Sequence, residues 1–343
     1  MSWPRRIIEE VAASGPLVRV TVIRAEGSTP REIGAAMLVG AGGITETIGG
    51  GALEFEAVAH ARAILAGAAQ ASPWQREGRD LALGPSLGQC CGGMVRLMFE
   101  LFTERECAAL GELAGSAPHR PYAARPLESG VPLRGATSGG GELPPTVARA
   151  IRASHPQAGA LPRALLIPGR KGEPDWFVEL LTKPARPLVL YGAGHVGRAL
   201  VRVLEGLPFL VNWVDTDAAR FPAPLPAGVT MHAAADPAAI IGEFPADAFH
   251  IVMTYSHPLD LAICHAVLSR GAFGFLGLIG SQTKCVRFSK RLRELGIAEE
   301  RLARLVCPIG VPGIMGKQPA VIAVAVAAQL LQELGRTGAA PSR

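Results

Sequence analysis

Two rhythms of apolar and polar positions divide this chain. Up to about residue 183 the apolar runs are short and of mixed period; from Leu188 onward strand-length apolar runs alternate with helical stretches. In the first part, Arg5 to Ala13 suits an opening helix. Leu17 to Ile23 alternates and is rich in β-branched residues, which predicts a strand. Ala35 to Val39 and Ile44 to Thr47 predict a hairpin with Gly40, Gly42 and Gly43 in its turn. Gly49-Gly50-Gly51 then leads into a helix from about Ala52 to Leu65, and Met94 to Phe102 is the next strand. Residues 115 to 145 are rich in Gly, Pro, Ser and Ala and predict a loop or irregular insertion. Arg163 to Ile167 and Trp176 to Leu181 close this part as strands, and Thr182 to Pro187 predicts the linker.

In the second part Leu188 to Tyr191 is an apolar strand, His195 to Glu205 a helix, and Phe209 to Val214 a second strand ending in Asp215. His250 to Thr254 and Phe273 to Leu278 are further strands, each followed by a helical stretch. Arg304 to Cys307 makes a last strand, and Pro319 suits the first turn of a C-terminal helix. Strands alternating with helices predict a doubly wound parallel sheet. The expected architecture is therefore α/β: an N-terminal α+β domain over residues 1–183, then a Rossmann-like domain over 188–335.

A length of 343 residues suits two domains, and 49% hydrophobic with 18% charged residues excludes a disordered chain. The formal charge of +5 is modest and dispersed. Its densest basic stretch, Lys284 to Arg293, is spaced like the solvated face of a helix without interleaved aromatics. No nucleic-acid partner is expected, while a small anionic ligand suits the balance. Acidic residues interrupt the first ten positions before any signal-like apolar core forms. The longest apolar run, Ala320 to Leu331, contains Gln329 and is too short to span a bilayer. A cytoplasmic protein without a membrane partner is expected. Six cysteines in this length do not make a disulfide scaffold. Cys107, Cys264, Cys285 and Cys307 are scattered and expected to be small buried hydrophobes, and no zinc-like spacing occurs.

Gly192-Ala193-Gly194-His195-Val196-Gly197 stands between a strand and a helix, with Asp215 ending the next strand. In that context the first glycine makes a tight turn and the second lets a pyrophosphate approach the backbone. The helix start then offers N–H groups to the anion. His195 is placed to touch phosphate, Asp215 to accept from a ribose diol, and Arg220 to meet a 2′-phosphate, so NAD and NADP both remain open. His257 and Asp260 follow the strand that ends near Thr254. They are the candidate acid–base residues at the carboxyl edge of the sheet, against the simpler reading of turn and cap chemistry.

The other motif is Leu87-Gly88-Gln89-Cys90-Cys91-Gly92-Gly93. Paired thiols among glycines, with an amide before them, present soft sulfur to a bound group. Successive side chains in extended backbone face opposite ways, so one thiol faces a ligand and the other packing. A second cluster belongs with it: Gly27-Ser28-Thr29-Pro30-Arg31, Gly34, Met37, and Ile48 to Glu54. Arg31 suits a phosphate or carboxylate, and Gly49, Gly50 and Gly51 ahead of a helix suit an anion.

Together these stretches resemble the XdhC/CoxI family, the accessory proteins that mature xanthine dehydrogenase and related molybdenum hydroxylases. The resemblance rests on Gly27 to Arg31 with Met37, on Ile48 to Glu54 and on Gln89 to Gly93. In the second half it rests on Gly192 to His195, on Leu278 to Ser281 with Lys284 and Phe288, and on Cys307-Pro308-Ile309-Gly310 with Pro319. It implies an XdhC/CoxI-type first domain and a chaperone that binds the molybdenum cofactor, a phosphorylated pterin dithiolene carrying molybdenum. It also implies a cysteine desulfurase that sulfurates the metal, and delivery to a molybdenum hydroxylase apoenzyme. The family's cysteine, and with it the contact to molybdenum, carries over onto Cys91, with Cys90 second. The competing readings are an NAD(P)-dependent oxidoreductase using His257 or Asp260, and a redox sensor with a reversible Cys90–Cys91 disulfide. A carrier is expected rather than a turnover enzyme, with a homodimer as the common default for an oligomer.

Overall fold

The structure is a computed structural model that describes residues 2–83, 93–116, 121–137, 142–153, 164–170, 172–182, 185–226 and 228–338. The chain divides into two units, Met1–Pro184 and Ala185–Arg343.

The first unit opens with helix α1 (Trp3–Ser14), strands β1 (Leu17–Glu26), β2 (Ala36–Gly40) and β3 (Gly43–Glu46), and helix α2 (Gly51–Ala66). Strands β4 (Arg76–Ala82) and β5 (Met94–Phe102) and helix α3 (Glu104–Ser116) follow. The strands form an antiparallel sheet in the order β3-β2-β1-β5-β4. Alternation along β1 sends Val18, Val20 and Val22 into one core with Leu53, Ala57, Val58 and Ala61 of α2. The positions between them, Arg19 and Thr21, are buried as well. They face a second antiparallel sheet, made of β6 (Tyr122–Pro126), β7 (Arg134–Ala136), β8 (Ala164–Ile167) and β9 (Trp176–Leu180), with helix α4 (Pro145–Ala153) between β7 and β8 in sequence.

The charges between these sheets are answered by one another. Arg19 donates to both oxygens of Glu179, at 2.6 and 2.8 Å. Arg125, fully buried, donates to Glu100 at 3.0 and 2.7 Å and to Glu179 at 2.6 Å. Arg76 donates to Glu100 and to the carbonyls of Pro126, Glu128 and Val131. The guanidiniums of Arg19 and Arg125 also lie over the Trp3 ring, and that of Arg125 over Phe177. Burial raises the Glu100 carboxyl, but Arg125 and Arg76 outweigh it and hold it down at about 2.

Residues 115 to 145 therefore correct the expectation of an irregular insertion: they supply the end of α3, β6, β7 and the start of α4. The segment Tyr122–Pro126, which reads Tyr-Ala-Ala-Arg-Pro, is broken by a charge and a proline in sequence, yet every residue of it is buried, and Arg125 meets Glu100 and Glu179 from distant strands. The edge strand β4 and helix α3 were also invisible to apolar spacing. Arg163, expected to open a strand, lies outside the described residues.

The second unit runs β10 (Arg186–Tyr191), α5 (His195–Val203), β11 (Phe209–Asp215), β12 (Val229–Ala233), β13 (Phe249–Val252) and α6 (His257–Arg270). It continues with β14 (Phe275–Leu278), α7 (Gln282–Glu294), α8 (Glu299–Leu302), β15 (Leu305–Val306) and α9 (Pro319–Gly338). All pairs are parallel, in the order β12-β11-β10-β13-β14-β15, which is the doubly wound Rossmann arrangement. Leu188 and Leu190 pack with Leu200 and Val201 of α5 and Val326 and Leu330 of α9. Val189 and Tyr191 pack on the opposite face with Ile263 and Val267 of α6 and Leu292 of α7. Strand β10 begins at Arg186, so the last two residues of the expected linker are strand; Pro187 is tolerated near a strand's start. Among the described residues no helix is long and apolar enough to cross a membrane.

Candidate functional sites

In the first unit Gln89, Cys90 and Cys91 lie outside the described residues. Their flanks are described. Leu83 N–H donates to the Gly93 carbonyl at 2.8 Å, just before Met94 pairs with Glu26 at the end of β1. A Cβ on Gly93 would lie 2.4 Å from the Ser28 carbonyl oxygen and 2.7 Å from that of Glu26, so only glycine fits beneath the segment Gly27–Arg31. On that segment's other side Gly49, at φ +128°, would place a Cβ 2.5 Å from Pro30. The segment Gly27–Arg31 thus meets Gly93, the flank of the cysteine motif, through Ser28 and meets Gly49 through Pro30, at one end of the first sheet.

The turn ahead of α2 already holds an anion. Glu54 Oε2 accepts from Thr47 Oγ1, from Ile48 N–H at 3.1 Å and from Gly50 N–H at 3.2 Å. Burial raises its carboxyl, but these hydrogen bonds outweigh it and keep it below its ordinary value. Arg31 donates to the Thr47 carbonyl at 3.1 Å and pairs with Glu32 at 3.2 Å, with its side chain still partly open to solvent.

In the second unit the glycines of the turn after β10 have separate tasks. Gly192 is buried at φ +112°, and a Cβ there would lie 2.4 Å from the Met253 carbonyl. A Cβ on Gly197 would lie 2.2 Å from the Gly192 carbonyl, so α5 packs directly on the turn. Gly194 has open space around it and precedes exposed His195, the first residue of α5, whose first turn carries no acidic residue. Asp215 is buried: it accepts from Ala193 N–H at 2.6 Å and Thr216 N–H at 2.7 Å, and Arg220 Nε lies 3.4 Å away. Arg220 also lies over the Tyr255 ring at 4.1 Å, joining the ends of β11 and β13 across β10. A dinucleotide fits this edge in part. The open space at Gly194 and the start of α5 suit a pyrophosphate, whereas the expected ribose acceptor already has protein partners.

A cavity of about 430 Å³ opens at the carboxyl ends of β13 and β14. His257, exposed at the start of α6, lines it and meets Phe288 edge to face. Asp260 does not line it. Fully buried, it accepts from Thr254 N–H at 3.0 Å and Thr254 Oγ1 at 2.7 Å, and from Lys284 Nζ at 2.7 Å. Lys284 also donates to the Ile279 carbonyl at 2.8 Å. Of the two candidate acid–base residues, His257 is thus in the cavity, and Asp260 is one half of an ion pair behind it.

Lys284, Arg287 and Ser281 also line the cavity. Lys284 was expected on a solvated helix face; instead it folds back onto Asp260. Gly280 was the available signal, because a Cβ there would lie 2.6 Å from Lys284 Cδ. Of the four remaining cysteines, all expected to be buried, Cys264 is buried and Cys107, Cys285 and Cys307 are half-buried. Burial pushes the Cys264 thiol well up, and burial together with neighbouring Cys285 pushes Cys307 up to about 12. Among the described residues no group of three His, Cys, Asp or Glu side chains is placed to hold a metal ion.

Comparison with known proteins adds the lineage. The chain matches the XdhC Rossmann domain over residues 188–330 and the XdhC and CoxI family over residues 11–72. YqeB of Escherichia coli (strain K12), described as an uncharacterized protein, is 33% identical over 151 residues. The match takes in 42% of this chain and 27% of YqeB, so the chain spans about a quarter of that relative's length. A crystal structure described as a xanthine dehydrogenase from Bacillus halodurans superposes with a TM-score of 0.71 at 20% identity, covering 100% of this chain and 98% of that one. At that identity the likeness is one of fold.

Proposed function

Since this chain belongs to the XdhC and CoxI family, we propose that it serves a molybdenum hydroxylase of the xanthine dehydrogenase type by carrying the molybdenum cofactor to it. The observation that supports the reading is the glycine-marked end of the first sheet, where Gly27–Arg31 packs on Gly93 at the flank of the cysteine motif and on Gly49 ahead of α2. The cargo is a phosphorylated pterin dithiolene, and thiolate is a good ligand for its molybdenum. Cys91 is the anchoring thiol, with Cys90 and Gln89 beside it. Glu54 fills the donors at Ile48 and Gly50, so Arg31 is the group in this unit that meets the cargo's anionic end.

In this reading the carrier holds the cofactor while a cysteine desulfurase sulfurates it, then releases it to the apoenzyme. The second unit binds NAD or NADP at Gly192, Gly194, His195 and Gly197, with Asp215 bracing the turn. An NAD(P)-dependent oxidoreductase is the second reading. It is favoured by His257 in a cavity at the sheet's carboxyl edge, and it has no task for Cys90 and Cys91.

Retention of released cofactor after desalting tests the proposal, read by pterin fluorescence and molybdenum content. Wild type and Cys90→Ala are expected to retain it stoichiometrically and Cys91→Ala to lose it. Equal retention by Cys91→Ala would overturn the assignment. Steady turnover of a nicotinamide cofactor, abolished by His257→Ala, would favour the second reading.

A further inference from the structure

We infer that the cavity at the carboxyl ends of β13 and β14 is a binding site for a phosphate monoester, distinct from the turn at Gly192–Gly197. The inference does not depend on the carrier reading. Its volume of about 430 Å³ suits a small organic ligand better than a lone ion. Its lining carries two cations, Lys284 and Arg287, and no carboxylate. The nearby carboxylate, Asp260, is fully buried and neutralises Lys284. Arg287 is exposed and has no hydrogen bond or ion pair among the described residues, so its positive charge is left for a ligand.

The donors outnumber what a carboxylate can use. Lys284 has three N–H bonds and two acceptors within the protein, Asp260 and the Ile279 carbonyl. Ser281 caps α7 by accepting from Lys284 N–H, which leaves its own O–H to donate elsewhere. Thr283 and His257 also line the cavity, and Arg287 adds a planar fork of N–H groups. The starts of both α6 and α7 border it, and both helices add their positive ends. A tetrahedral dianion with three terminal oxygens matches this array. Gly280 belongs to the design, since a side chain there would push Lys284 off Asp260.

The test is calorimetric titration of the full chain with glycerol 3-phosphate, with inorganic phosphate as competitor and acetate as control. Saturable binding of the monoester, displaced by phosphate and absent with acetate, is expected. Arg287→Gln should weaken it roughly tenfold or more, the loss of a charge-assisted contact. Arg291→Gln, on the same helix but paired with Glu294 and not lining the cavity, should leave it unchanged. Amide shifts should appear at Ser281 to Lys284. No saturable binding, equal affinity in Arg287→Gln, or shifts confined to Gly192–Gly197 would overturn the inference. None of these probes contains pterin or molybdenum, so the result stands or falls separately from cofactor retention at Cys91.

Discussion

The two units bury charge in opposite ways. In the first, three arginines and two glutamates lie between two sheets, and nearly every donor ends on a carboxylate, a carbonyl or an aromatic face. In the second, one aspartate holds one lysine at the wall of a cavity, and neighbouring Arg287 has no hydrogen bond or ion pair among the described residues. The first arrangement is closed and works as architecture. The second is open on one side, and an open cation beside a cavity invites a ligand. Strong ionic interaction alone does not mark a functional site, nor does a buried donor left over, such as Arg125 Nη1 in the first unit; what marks the second is an exposed cation at a cavity.

Removing one partner from each system should separate them most sharply. Glu100→Gln leaves Arg76 buried without a carboxylate and Arg125 with Glu179 alone, and should cost the first unit about 3–5 kcal/mol in denaturant unfolding. A loss below about 1 kcal/mol would mean that the network does not hold the sheets. Asp260→Asn should cost the second unit less, about 2 kcal/mol, because Lys284 can turn toward the cavity and its water. The same change should tighten monoester binding by adding a net positive charge; weaker binding would break the contrast between closed and open charge.

Acid should also distinguish the units. His250 is fully buried and shares a hydrogen bond with Tyr191, and burial, then Arg270, lowers its pKa to about 3. The unfolded chain takes up this proton from pH 6.5 downward, so stability present above 6.5 is lost as the pH falls toward 3. Glu100, depressed from 4.5 to about 2, contributes stability that persists above 4.5 and is lost below it. Hydrogen exchange should therefore show protection in β10 and β13 weakening before that in β1 and β5. The reverse order, or no change of the second unit's profile in His250→Phe, would refute this. The smallest effect belongs to Glu54→Gln. The amide still accepts from Ile48 or Gly50, so the loss should be about 1 kcal/mol or less by thermal unfolding.

The second unit was legible almost strand by strand, because parallel strands covered on both faces are near-continuous apolar runs. Its hidden strand was β12, an edge strand in which Thr230 and His232 interrupt the apolar signal. The first unit was less legible, because Arg19, Glu100, Arg125 and Glu179 sit in buried strands and look like surface residues until the second sheet covers them. At the candidate sites the glycines could be found from their neighbours in sequence. What occupies the backbone donors beside them could not. Glu54 at Gly50 and Asp215 at Ala193 are contacts settled by how a helix or strand returns to the turn. Lys284 was obscured for the same reason, its partner lying on another helix.

The packing of α9 against α5 has a consequence for the order of events during synthesis. Strand β10 and helix α5 are made first in the second unit, yet Ala323, Val326, Ala327 and Leu330 belong to the core that covers Leu200 and Val201. The first helix to emerge thus keeps an apolar face uncovered until the last helix has been translated. Such contacts between distant parts of the chain slow folding. The interval before Leu330 emerges is therefore when this unit exposes most of that apolar face.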